Sequence, residues 1–399
     1  MSSILHLIEF QMTLLLFVAL AGYLLASRVN QSAVIGEILV GLLVGPSVLG
    51  LITYTDFVAG LAQLGAVFLL FVVGTEFRLE DIARPRYLLI GASGVVVPFA
   101  MGYAAAAMFG FPFGSSMFIA TALTATSIAI TANVLKEMGK LQTAAARAII
   151  GAAVIDDVLG LLVLAVTRGA VSGSVTFTSV ALVFGKSLLF LAAGGVAGHF
   201  LLRPLLERID ASSFTRRFRE VPFLFATMCA FLYAMAAELL GLSAIVGAFM
   251  AGASLGGLRL RQGKDLHAGF DFLQAIFASI FFVSLGILSD VRAMDLRVLF
   301  FMGALLVLAF ASKLIGCGGA AAITGSGLRD SVVIGLGMAP RGEVAMIIAL
   351  IGLDARLIHQ DIYVAIILVS LLTTVATPLV LRPLLARAAD HRRDPALSS

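Results

Sequence analysis

Residues 151–166 read GAAVIDDVLGLLVLAV. Two adjacent carboxylates, Asp156 and Asp157, stand in the middle of an apolar run long enough to cross a bilayer. A charged side chain at that depth is rare, costly and by default functional. The fold must offset that cost.

The rest of the chain is built for the same medium. Apolar residues fill 60% of the 399 positions and charged residues 13%, with a mean hydropathy of +1.08, whereas soluble domains are roughly a quarter charged. These values mark an integral membrane protein. The net charge of +4 is read as a topology signal in a bilayer partner, not as an affinity for nucleic acid. Cys229 and Cys317 both lie in apolar segments, which gives neither a disulfide framework nor a metal-ligand cluster. No enzyme chemistry and no cofactor are expected.

Thirteen segments meet the requirement of about 20 mostly apolar residues: 4–27, 33–52, 57–76, 87–110, 114–138, 144–167, 177–202, 221–240, 243–258, 266–288, 297–323, 330–352 and 361–385. One turn at Gly241 parts two of them. The expected fold class is therefore an all-α polytopic membrane protein of about 13 transmembrane helices. The first segment has no basic leader and no small-residue cleavage site, so it is expected to be an uncleaved span. The polar stretch Glu207 to Glu220 is read as a loop. Residues 1–390 are expected to form one transmembrane domain and 391–399 a short cytoplasmic tail.

Lys and Arg collect in cytoplasmic loops, and this checks the span count. With the N-terminus outside, 20 of the 27 basic residues fall in inside loops and the tail, and four fall outside: Arg168, Arg292, Arg297 and Arg356. Only Lys186, Lys313 and Arg341 remain inside spans. A miscounted span would invert every later loop and blur the asymmetry. The C-terminus is placed in the cytoplasm.

Two segments are poor plain helices. Residues 114–138 hold the hydroxyl-rich tract TALTATSIAITANV, and 330–352 hold GLGMAPRGEV. Proline removes a backbone donor and glycine weakens a helix, so each is expected to be discontinuous, with its unwound middle facing protein or a water-filled cavity. Each is followed by one further span. Paired interrupted segments at corresponding positions point to inverted repeats with a binding site where two discontinuous helices cross. Arg341, Glu343 and Asn133 are the candidates for balancing the half-helix dipoles there, although Arg341 and Glu343 also have each other as partners. Glu37, in AVIGEILVG, is a candidate for lining an ion path. Gly41 and Gly45 are read as close-packing positions.

An ordered set of stretches resembles the cation/proton antiporter superfamily that includes Kef-type and NapA-type transporters. These are LAQLGAVFLLFVVGTEF (61–77), TATSIAITANVLKEMG (124–139), GAAVIDDVLGLLV (151–163), LSAIVGAFMAGASL (242–255), FFVSLGILSD (281–290) and GMAPRGEVAMIIA (337–349). With its Asp-Asp pair and a lysine before the second interrupted segment, the chain is most similar to NapA-like sodium/proton antiporters. The resemblance implies NhaA/NapA-type inverted repeats, interleaved scaffold and ion-translocating bundles, a homodimer and a bacterial inner membrane.

It also implies an activity: secondary active exchange of sodium or lithium for protons, electrogenic, by alternating access. The alternative is Kef-like potassium/proton exchange. A cation channel would need a filter repeat, and an organic-anion carrier would use Lys313 and Arg341 as contacts, which the Asp-Asp pair argues against. Asp157 is the expected cation- and proton-binding carboxylate, the only metal contact being transported sodium, with Thr126 and Ser127 as oxygen donors. Asp156 is expected to pair with Lys313, which either carries a second proton or serves only as a counter-ion. Neighbours on a helix point about 100° apart, which lets the two aspartates face different ways.

Overall fold

The computed structural model describes residues 7–29, 31–75, 77, 84–172, 177–258, 266–288 and 296–390. Among the described residues every regular element is helical. Among the described residues ten helices are long and apolar enough to cross a membrane, counting the interrupted Phe113–Glu137 as one, and three shorter apolar ones are Ala33–Val44, Ala244–Leu255 and Val344–Leu353. These helices overlap the segments read from hydropathy, within the described residues. Large apolar side chains such as Met108 (86% exposed) and Phe272 (75% exposed) lie on the outside, while Asp156, Lys313 and Arg341 are buried. That inversion suits a protein whose solvent is lipid.

Two expectations need correction. The segment 33–52 is helical only over Ala33–Val44, because Pro46 follows Gly45 and supplies no N–H to continue the ladder. The stretch Glu207 to Glu220 is not simply a loop: it contains the end of helix Arg203–Ala211 and the short helix Ser213–Arg217. Ser212 caps the second, its Oγ accepting from Thr215 N at 3.3 Å. The polar composition reflects a surface helix that buries Leu206 and Asp210. The expected turn at Gly241 is present, with φ +86°, a left-handed value that glycine adopts without a Cβ penalty.

The chain divides into two compact units interleaved in sequence. One comprises Met1–Ala21, Glu37–Arg84 and Asp157–Leu288. Its apolar core gathers Leu15, Val18, Val44, Val58, Ile280, Val283 and Ile287. Glycines let its helix backbones touch: a Cβ on Gly65 would stand 2.0 Å from the Phe277 carbonyl oxygen, and one on Gly41 2.2 Å from that of Val283.

The other unit comprises Gly22–Gly36, Pro85–Asp156 and Ser289–Ser399. It holds both interrupted segments. The first runs as Phe113–Thr124 and Ile128–Glu137, the second as Leu328–Gly337 and Glu343–Asp354. A third departure from ideal helix follows Lys313, where Leu296–Lys313 passes into a π-helical turn, Leu314–Gly318. The run LIGCGG offers little side-chain packing to hold a regular turn, and such wide turns re-aim the residues beside them. The division between the units falls inside the helix Ala144–Ser172, between Asp156 and Asp157.

Candidate cation and proton site

The two breaks meet. Ser127 N donates to Pro340 O at 2.8 Å, Thr126 Oγ1 to Met338 O at 3.4 Å, and Thr131 Oγ1 to Gly337 O at 2.6 Å. Phe118, in the first half of one interrupted helix, packs on Gly352 in the second half of the other, so the pair runs in opposite senses through the crossing. Backbone groups freed by the breaks are thereby satisfied across the crossing instead of along a helix.

Arg341 sits in the second break, 1% exposed. Its Nη1 donates to the carbonyls of Ala339 at 2.6 Å and Met338 at 3.4 Å, and its Nη2 to Ala309 O at 3.2 Å. The guanidinium thus caps the negative end of Leu328–Gly337. Its own backbone is held by the last long helix: Arg341 N donates to Thr373 Oγ1 at 3.1 Å and Thr374 Oγ1 donates to Arg341 O at 2.9 Å. Asn133 lies further along Ile128–Glu137, its Nδ2 donating to Glu137 Oε1 at 3.1 Å. Glu137 also receives Ser32 Oγ and Arg382 Nη2, at 2.7 and 2.9 Å. Glu343 opens the helix Glu343–Asp354, and its side chain lies outside the described residues.

Beside the crossing stands an ion pair cut off from solvent. Lys313 Nζ lies 2.8 Å from Asp156 Oδ1, with the two side chains 0% and 2% exposed. The ammonium also donates to Gly94 O at 2.6 Å. Thr126, in the first break, is a neighbour of the same carboxylate. Each charge would be prohibitively expensive alone, and mutual attraction together with the Gly94 hydrogen bond offsets part of that cost. Asp157, the next residue, faces a less buried side of the helix. Ser127 Oγ is buried and finds no hydrogen-bond partner among the described residues. An unsatisfied buried hydroxyl needs a reason, and a transported ion is one.

Residues 14–387 match the family described as "Sodium/hydrogen exchanger, transmembrane". The chain belongs to that sodium/hydrogen exchanger family. Among its relatives, the "Na(+)/H(+)-K(+) antiporter GerN" of Bacillus cereus is 34% identical over 380 residues, covering 94% of this chain and 95% of the relative. The "High-affinity Na(+)/H(+) antiporter NhaS3" of a Synechocystis strain is 30% identical, covering 88% and 84%. The sodium proton antiporter MjNhaP1 of Methanocaldococcus jannaschii shares the fold, with a TM-score of 0.68, 16% identity and coverage of 98% of each chain. This exchanger is therefore a multi-pass membrane transporter of the monovalent cation/proton antiporter class.

Several residues around the two breaks and the Lys313–Asp156 pair carry no charge, so charge patterning does not point to them. Thr131, Thr373 and Thr374 stitch the breaks to their neighbours. Gly94 is the least conspicuous: a Cβ there would stand 2.5 Å from Cys317 Sγ, 3.4 Å from Asp156 Oδ1 and 3.5 Å from Lys313 Nζ. A proline four residues further on, in GASGVVVPF (91–99), was the available signal.

Proposed function

We propose that this exchanger moves sodium or lithium against protons by alternating access around Asp157, with net charge transferred in each cycle. The observation that carries the reading is the sealed Lys313–Asp156 pair beside two crossed helix breaks, with a second carboxylate on the very next residue. A small hard cation prefers oxygen ligands, and Asp157, Thr126, Ser127 and the carbonyls of the breaks are the candidates to supply them. One carboxylate takes either a proton or a cation. That competition yields obligate exchange when the carrier changes access only with the carboxylate neutralised.

Lys313 is the proposed second proton carrier. A cation at Asp157 weakens the claim of Asp156 on the ammonium, so Asp156, Asp157 and Lys313 exchange protons as a coupled set. Two protons against one monovalent cation move net charge. A homodimer in a bacterial inner membrane belongs to the same proposal, on the strength of the family resemblance. Potassium is the second reading, favoured by the similarity to GerN, whose name includes it.

The test is proteoliposomes with a lumenal pH dye, challenged with sodium, lithium and potassium salts with and without a clamped membrane potential. Voltage-sensitive proton flux driven by sodium and lithium is expected. Flux driven by potassium alone moves the assignment to the second reading, and no cation-dependent flux contradicts both.

A further inference from the structure

Pro98 lies inside the helix Pro85–Met108, four residues after Gly94. In an α-helix the N–H of residue i+4 donates to the carbonyl of residue i, and proline has no N–H to give. The Gly94 carbonyl therefore lacks its regular helical donor. Lys313 Nζ takes that place at 2.6 Å, a shorter bond than the 2.8 Å one to Asp156. Both Gly94 and Pro98 are buried, so bulk water is not the alternative donor.

Gly94 contributes twice, through its carbonyl and through its missing side chain. A Cβ at this position would press on Cys317 Sγ at 2.5 Å while standing in ordinary contact with Lys313 Nζ at 3.5 Å, so the glycine makes room for the Cys317 sulfur beside the ammonium. Among the described residues, the titratable groups that face Lys313 are Asp156, on the helix Ala144–Ser172, and Cys317, in the π-helical turn that follows the lysine; Arg341, in the second break, faces Asp156 and Cys317. Among the described residues, only the Asp156 carboxylate and the Gly94 carbonyl accept a hydrogen bond from Nζ.

We propose that Gly94 and Pro98 are positioning residues for Lys313: the proline frees a helix carbonyl, the glycine leaves room for Cys317 beside the ammonium, and the carbonyl keeps the ammonium in place whenever its pairing with Asp156 loosens. This rests on the exchange reading above and deepens it. It gives Lys313 a second, uncharged seat, so that separation from Asp156 does not leave a lysine loose at membrane depth.

The experiment uses the full-length protein in proteoliposomes. Pro98→Ala restores an N–H that competes with Lys313 for Gly94 O, and Pro98→Val does so while keeping more bulk. Both variants are expected to fold. The pH of half-maximal sodium-driven proton flux is expected to move by about half a unit or more, the size set by weakening one hydrogen bond to a charged group. The change in Tm caused by Pro98→Ala is expected to be more favourable in a Lys313→Gln background than in the wild type by about 1–2 °C, because no ammonium then competes for the carbonyl. An unchanged pH profile, additive Tm effects, or failure of both variants to assemble overturns the proposal. Wild-type flux in the same vesicles tests the exchange reading separately.

Discussion

Lys313 Nζ and Asp156 Oδ1 lie 2.8 Å apart, across 157 residues of sequence and out of reach of solvent. A pair of this kind costs far more to break from one side than to form. Lys313→Gln is accordingly expected to destabilise the protein by about 3–5 kcal/mol, visible as a lower Tm in detergent. If Lys313 carries the second proton, the same variant loses the voltage dependence of exchange. Unaltered voltage dependence in liposomes reduces Lys313 to a counter-ion.

Ser127 and Thr131 separate binding from stability. Ser127 Oγ has no partner to lose among the described residues, whereas Thr131 Oγ1 holds Gly337 O at 2.6 Å. Ser127→Ala should leave Tm nearly unchanged and raise the KM for the driving cation several-fold. Thr131→Ala should lower stability by about 1 kcal/mol with a smaller effect on KM. Identical effects of the two substitutions on both quantities would remove Ser127 from the cation site.

At Gly94 the constraint is spatial, and a second substitution relieves it. Gly94→Ala drives a methyl to within 2.5 Å of Cys317 Sγ, so a loss of about 1–3 kcal/mol from overpacking is expected. Cys317→Ala removes that sulfur and should restore part of the loss in the double variant. Simple additivity in thermal unfolding would show that the crowding lies elsewhere.

Arg341 meets three carbonyls with a planar fork that lysine does not have. Arg341→Lys keeps the charge and is still expected to lower Tm and to slow exchange, because the end of Leu328–Gly337 loses its cap. A variant with wild-type Tm and rate would show that charge alone suffices in the second break.

How much of this was legible beforehand depended on which physical signal each feature leaves. The spans were, because burial in lipid demands long apolar runs whatever their partners. Both breaks were: Pro340 and Gly342 interrupt the second segment, and the hydroxyl-rich TATS marks the first. The helix Arg203–Ala211 was not: it is polar, and hydropathy treats a polar surface helix and a loop alike. The end of the second span was missed although Gly45 and Pro46 announced it, since a window average passes over single residues. No local pattern brings Lys313 to Asp156 across 157 positions; only the family resemblance paired them. Arg341 and Glu343, two apart, have the half-helix dipoles or each other as partners by sequence; the Arg341 guanidinium reaches carbonyls of its own break, and the Glu343 side chain lies outside the described residues. The role of Gly94 required a question that charge patterns never raise, namely which carbonyl a buried proline leaves without a donor.

In the proposed exchange Asp157 is the carboxylate shared by cation and proton, while Asp156 is held by Lys313. The most direct measurement is sodium-driven proton flux through purified Asp157→Asn in proteoliposomes, alongside its thermal unfolding. A folded protein with a near wild-type Tm and no cation-dependent proton flux is expected. Exchange that survives the substitution would contradict the proposal.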